Sequence, residues 1–185
     1  MAAATVFAFI AFFSMPFVFG KLGPPGGPQH LHHDAIDAFK IIENFQFTVA
    51  ITDSDNDTIF ECVAGNRTEI DPEAKTATFV WLFQETENSP REDIPFYVKV
   101  ADEPETITFT VDDDPTIREG RYYYTDYETC VVLDMEYHGH QCILWTKLKV
   151  KDAVPQHCID HFVDACGVIV PQHSRDLCPD GEGDY

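Results

Sequence analysis

Along most of the chain, apolar and polar positions alternate with a period of two. The stretch "ETITFTV" (105–111) sets Ile107, Phe109 and Val111 against Thr106, Thr108 and Thr110, the pattern of a strand with one dry face and one wet face. Segments of the same kind, rich in β-branched and aromatic residues, are "FQFTVAIT" (45–52), "TIFECVA" (58–64), "TATFVWLFQ" (76–84), "IPFYVKVA" (94–101), "RYYYTDY" (121–127), "CVVLDMEY" (130–137) and "QCILWTKLKV" (141–150). Together they predict eight strands. The intervening "DSDND", "NRTEIDPE", "ETENSPRED", "DEP", "DDDPTIREG" and "HGH" carry the Asp, Asn, Pro and Gly chemistry of turns. Eight antiparallel strands joined by short turns can close into a barrel and so remove their exposed edges, although an open sandwich would show the same strands.

Two stretches break the period. In "HDAIDAFKIIENF", Ile36, Phe39 and Ile42 fall at helical spacing, which predicts a short helix over 34–43. In "DAVPQHCIDHFVDACGVIV", Val154, Ile159, Phe162, Val163 and Ala165 predict a second helix over 155–166, opened by Pro155 and stopped by Gly167.

The first twenty residues, "MAAATVFAFIAFFSMPFVFG", carry no charged side chain and read as a secretory signal peptide, with Val18 and Gly20 fitting a cleavage site. Pro16 interrupts a run already too short for a membrane anchor. The expected organisation is a signal peptide (1–20), a flexible Gly/Pro-rich leader (21–33), one domain (34–178) and an acidic tail (179–185). The formal charge of −20 argues against nucleic acid or an anionic membrane surface as partner, and favours a cationic one or simple solubility.

Six cysteines, at 62, 130, 142, 158, 166 and 178, make an even set in a secreted chain and so predict disulfides. Neither CxxC nor HExxH occurs, and "HLHH" at 30–33 sits in the leader, so neither metal nor cofactor is expected. Asn56 and Asn66 head sequons suited to a glycosylated surface. No nucleophile with a base, paired-carboxylate site or GxSxG stands out, so no enzyme is predicted.

The segments "DAFK", "FECV", "YYTDYETCVVLD" and "LW…VPQHCIDHFVDACG…RDLC", in that order, make the chain resemble the tick salivary lipocalins of the histamine-binding type. The resemblance implies an eight-stranded antiparallel barrel with a helix packed outside and a small-molecule cavity within. It also implies pairing of Cys62 with Cys178 and Cys130 with Cys158, which leaves Cys142 and Cys166 to each other. With Cys130 and Cys142 turned outward to the helix, alternation sends Val131, Leu133, Met135, Ile143 and Trp145 inward, and the same logic around Cys62 turns Glu61 and Val63 inward.

Amine-binding relatives hold their ligand with interior acids and aromatic walls. Here Asp53 and Glu61 are the candidate acids, while Trp81, Tyr123 and Trp145 are candidate aromatic lining. Asp53 equally suits a turn. Val131 and Ile143 stand where amine binders carry acids, so the expected chamber is more apolar than theirs. Arg121 either meets the carboxylate of a fatty-acid ligand or pairs with surface acids. The resemblance thus implies a secreted, monomeric barrel that sequesters small host mediators: biogenic amines such as histamine and serotonin, or alternatively a leukotriene or fatty acid. A third reading is a protein-binding inhibitor of complement or a protease, with loops such as 84–94 making the contacts.

Overall fold

The computed structural model describes residues 30–54, 63–83 and 92–167. Its elements, in chain order, are α1 (Ala38–Asn44), β1 (Phe47–Asp53), β2 (Val63–Asp71), β3 (Thr76–Phe83), β4 (Glu92–Val100), β5 (Thr106–Val111), β6 (Asp114–Thr125), β7 (Cys130–Glu136), β8 (His140–Lys147), a single 3-10 turn (Leu148–Val150) and α2 (Gln156–Cys166). Each strand pairs antiparallel with the next, and β8 returns to pair with β1. The sheet is therefore a closed barrel in sequence order, with no free edge. The open sandwich is excluded.

The boundaries differ from the sequence expectation where a strand has a solvated face. Asn66–Asp71, expected as a turn, continues β2, with Glu69 opposite Thr78 and Ile70 opposite Ala77. The real turn is shorter: Asp71 accepts from the backbone N–H groups of Glu73 and Ala74, and Lys75 takes a left-handed φ of 51°. In the same way β6 begins at Asp114 rather than 121, leaving Asp112, at φ 46°, to make the bend. The expected strand over 58–64 falls mostly outside the described residues.

Helix α1 starts later than expected because Asp37 caps it, its Oδ1 accepting from the N–H groups of Phe39 (2.9 Å) and Lys40 (3.1 Å). The helix lies across the barrel end that carries the β2–β3, β4–β5 and β6–β7 turns. Three bonds fasten it there: Ala38 N–H to the Pro104 carbonyl at 2.7 Å, Asp37 N–H to the Tyr127 hydroxyl at 2.8 Å, and the Arg67 guanidinium to the Ile42 carbonyl. Ile41, Ile42 and Phe45 are thereby driven into the barrel as its floor.

Helix α2 lies against the outside of β6, β7 and β8. Gly167 ends it in the left-handed conformation (φ 71°), donating its N–H to the Val163 carbonyl at 3.0 Å. Two disulfides tie it to the wall. Cys130 at the start of β7 bonds Cys158, and Cys142 in β8 bonds Cys166, with Cα atoms 6.1 Å and 5.8 Å apart. Both pairings agree with the expectation. Cys62 and Cys178 lie outside the described residues, as do Asn56 and the leader to residue 29.

Candidate ligand chamber

The wall has two apolar faces, and the β7–β8 ladder separates them cleanly. Its register runs without interruption from Cys130 opposite Thr146 to Glu136 opposite His140. Val131, Leu133, Met135, Ile143 and Trp145 therefore face inward, while Cys130, Val132, Cys142 and Leu144 face outward under α2.

The inner face encloses a cavity of about 60 Å³, measured as the space open to the centre of a water molecule. Ile41 and Phe45 close it below. Aromatic rings crowd it from the sides. Trp81 stacks on Phe96 (4.2 Å between centroids, 24° between planes) and stands 5.0 Å from Trp145, and Phe96 is 5.9 Å from Phe109. Beyond this layer, toward the barrel end opposite α1, Tyr137 sets its ring edge-on against Trp81 (6.2 Å, 82°) and Phe96 (5.2 Å, 73°).

Gly65 lies under this layer: a Cβ there would make ordinary contacts with Trp81 at 3.7 Å and Trp145 at 3.8 Å, and a tight one with Thr48 Oγ1 at 3.2 Å.

Among the described residues, no charged side chain lines the cavity. Its polar groups include the hydroxyls of Thr48 and Tyr122 and the indole N–H of Trp145, on residues 7 %, 6 % and 4 % exposed. Burial holds the Tyr122 phenol well above its ordinary pKa, so the group is a neutral hydroxyl at any physiological pH.

The candidate residues named from sequence divide. Trp81 and Trp145 lie on the cavity wall. Asp53 ends β1 opposite Ile143, at the barrel end away from α1 and off the cavity wall. Glu61 lies outside the described residues.

Arg121 and Tyr123 both lie outside the barrel: Arg121 takes the surface-pairing alternative, and Tyr123 is corrected from chamber lining to the outer face. Arg121 pairs with Glu105 at 2.7 Å, and its guanidinium is 5.9 Å from the Tyr123 ring. The inward residue of that strand is the one between them, Tyr122, which sequence reasoning passed over. A bulge between Tyr122 and Tyr124 then resets the alternation. Tyr124 goes to the outer cluster, where His161 of α2 stacks on it at 3.6 Å and 6°. The signal for Tyr122 was its parity with Gly120, but three adjacent tyrosines mask parity.

Asp126, Cys130, His157 and Cys158 also converge, in the turn after β6. The two sulfurs are bonded to each other, which leaves a carboxylate and an imidazole. Asp126 accepts from the N–H groups of Glu128, Thr129 and Cys130, from the Thr129 hydroxyl, and pairs with His157 Nε2 at 3.1 Å. Those bonds hold its carboxyl well below the usual carboxylate range despite burial. The cluster is a latch for α2.

A closed antiparallel barrel of eight strands, floored by one helix, braced outside by a disulfide-tied second helix and holding an enclosed apolar cavity, is a lipocalin-type barrel. Residues 28–174 match the tick histamine binding protein family, and the chain belongs to it. Three solved structures share the fold. The AM182 serotonin complex is 15 % identical, with 77 % of this chain and 91 % of that one covered at a TM-score of 0.58. Japanin from Rhipicephalus appendiculatus, bound to cholesterol, is 17 % identical over 80 % and 100 % of the two chains, with a TM-score of 0.51. The tryptamine complex of the amine binding protein of Rhodnius prolixus is 14 % identical over 82 % and 88 %, with a TM-score of 0.52. Comparison with curated protein sequences returns no match.

Proposed function

We propose that this protein is a secreted, non-enzymatic lipocalin that sequesters a small host mediator in its barrel and so blunts host inflammatory defence, and that the mediator is predominantly apolar. One observation supports the choice of ligand: among the described residues, no charged side chain lines the cavity. An ammonium buried there would lose hydration worth several kcal/mol. Cation–π attraction from Trp81 or Trp145 returns about 2 kcal/mol or somewhat more when desolvated, which offsets only part of that loss. The balance favours the lipid-mediator class over a buried amine. Family membership supports small-ligand binding in general, and the neighbours' ligands, serotonin, tryptamine and cholesterol, span both polarities.

Asp53 supports a second reading, in which an amine keeps its ammonium at the barrel end opposite α1 and inserts only its ring. Calorimetric titration with histamine, serotonin, a leukotriene and arachidonate separates the two. The expected outcome is saturable heat with the leukotriene or arachidonate and none with histamine. Tight histamine binding with no heat from either lipid would overturn the assignment. The cavity is also small: a single water needs about 10–15 Å³ on this measure. A lipid tail must therefore displace the Trp81–Phe96–Tyr137 layer, so ligand saturation should change tryptophan fluorescence.

A further inference from the structure

Three neutral polar groups stand around one cavity: Thr48 Oγ1 on β1, the Tyr122 hydroxyl on β6 and Trp145 Nε1 on β8. The Trp145 indole N–H is buried without a hydrogen-bond partner among the described residues, and the two hydroxyl-bearing residues line the cavity beside it. Each belongs to a residue more than nine-tenths buried. Away from the cavity some part-buried polar groups are absorbed by the scaffold, as where the Thr125 hydroxyl reaches the Cys130 carbonyl at 3.0 Å and Asp126 takes four donors from its own turn, while the Thr106 and Thr146 hydroxyls and Asp134 Oδ1 are not. A buried polar group left without a partner loses its hydration and gains nothing in return. Phenylalanine, valine and a second phenylalanine would line the same wall without that cost.

We infer that Tyr122, with Thr48, is the polar anchor of the chamber, and that the ligand it selects is neutral where it is buried and carries a hydroxyl or carbonyl on an otherwise apolar frame. The inference rests on the apolar-ligand reading above and narrows it. A phenol can donate to a carbonyl or accept from an alcohol, and the threonine hydroxyl has the same two-way capacity. Neither group can neutralise an ammonium or a carboxylate. Because burial keeps the phenol protonated, it cannot become a counter-ion for a cation either. A ligand of pure hydrocarbon would enter this chamber but leave the hydroxyls unmet, so discrimination falls on the oxygen.

The test uses two neutral probes of one shape, 1-naphthol and naphthalene, titrated into the wild-type chain, Tyr122→Phe and Thr48→Val, with tryptophan fluorescence as readout. Tyr122→Phe should weaken naphthol roughly five- to tenfold and leave naphthalene within about twofold, and Thr48→Val should act in the same direction with a smaller loss. Equal losses for both probes, or no loss for either, would overturn the assignment while leaving the apolar chamber standing. Failure of both probes to bind the wild-type chain would sink the chamber reading itself, and this inference with it. A denaturation midpoint for Tyr122→Phe at or above the wild type is the independent signature expected of an orphaned hydroxyl, and a large drop would show instead that the hydroxyl supports the fold.

Discussion

The two faces of one barrel wall are built on opposite plans. Outside, under α2, Val49, Ile51, Ala64, Val132, Leu144 and Phe162 pack around two disulfides, with the helix latched by Asp126 and His157. Inside, aromatic rings surround a residual cavity, and the Trp145 indole N–H on its wall has no partner among the described residues. A wall that must leave room for a ligand cannot draw all its stability from its own filling. The contrast shows where this fold places it: the covalent and close-packed support sits on the side a ligand never visits.

The largest effect expected from that contrast comes from Phe162, which is fully buried in the outer cluster. Phe162→Ala should lower unfolding free energy by about 3–5 kcal/mol, read from the urea midpoint at constant slope. A loss below 1 kcal/mol would mean that the outer face is not the structural one.

Neighbouring valines sharpen the comparison further. Val131 faces the chamber and Val132 faces α2. Adding one methylene outside, Val132→Ile, forces strain into a filled layer and should cost about 1–3 kcal/mol. The same change inside, Val131→Ile, enters existing space and should be near neutral for stability while weakening ligand binding. Equal costs in denaturation would show that the inner face is packed as tightly as the outer one, which would remove the chamber from the argument.

How far this division could be read beforehand depended on the regularity of each strand. On β7 and β8, counting outward from Cys130 and Cys142 placed Val131, Leu133, Met135, Ile143 and Trp145 correctly, because that ladder holds one register from end to end. On β6 the same reading failed. Its bulge lies inside a run of three tyrosines, and Arg121 and Tyr123 were chosen for chemistry rather than for parity. Likewise, polar residues on the outer face of β2 and the start of β6 look like turn chemistry, since a solvated strand face and a loop draw on similar residues. The closed barrel was legible as strand count and period. Cavity size was not, because it depends on how Trp81, Phe96 and Trp145 interlock over Gly65.

The smallest effect concerns the outer wall's own exception, Asp134. It sits on β7 between Arg121 and Cys142 in register, yet Arg121 is engaged with Glu105, and the nearest imidazole, His140, is 3.9 Å away. Its Oδ1 has no hydrogen-bond donor among the described residues. Burial, only partly offset by His140, pushes its carboxyl up to about 6 from an ordinary 3.8. For an acid, a raised folded-state pKa means that ionisation opposes folding. The penalty is full above pH 6, shrinks as pH falls toward the unfolded value, and is gone below about pH 4. Asp134→Asn should therefore stabilise the chain at pH 7 by about 1 kcal/mol, a modest gain because water still reaches and screens the carboxylate. At pH 3.5 the gain should vanish. Urea midpoints at the two pH values decide the matter: a variant less stable than wild type at pH 7 would mean that the His140 contact outweighs burial. The described outer wall would then hold no uncompensated buried carboxylate, and its remaining unpartnered atoms would be neutral hydroxyls.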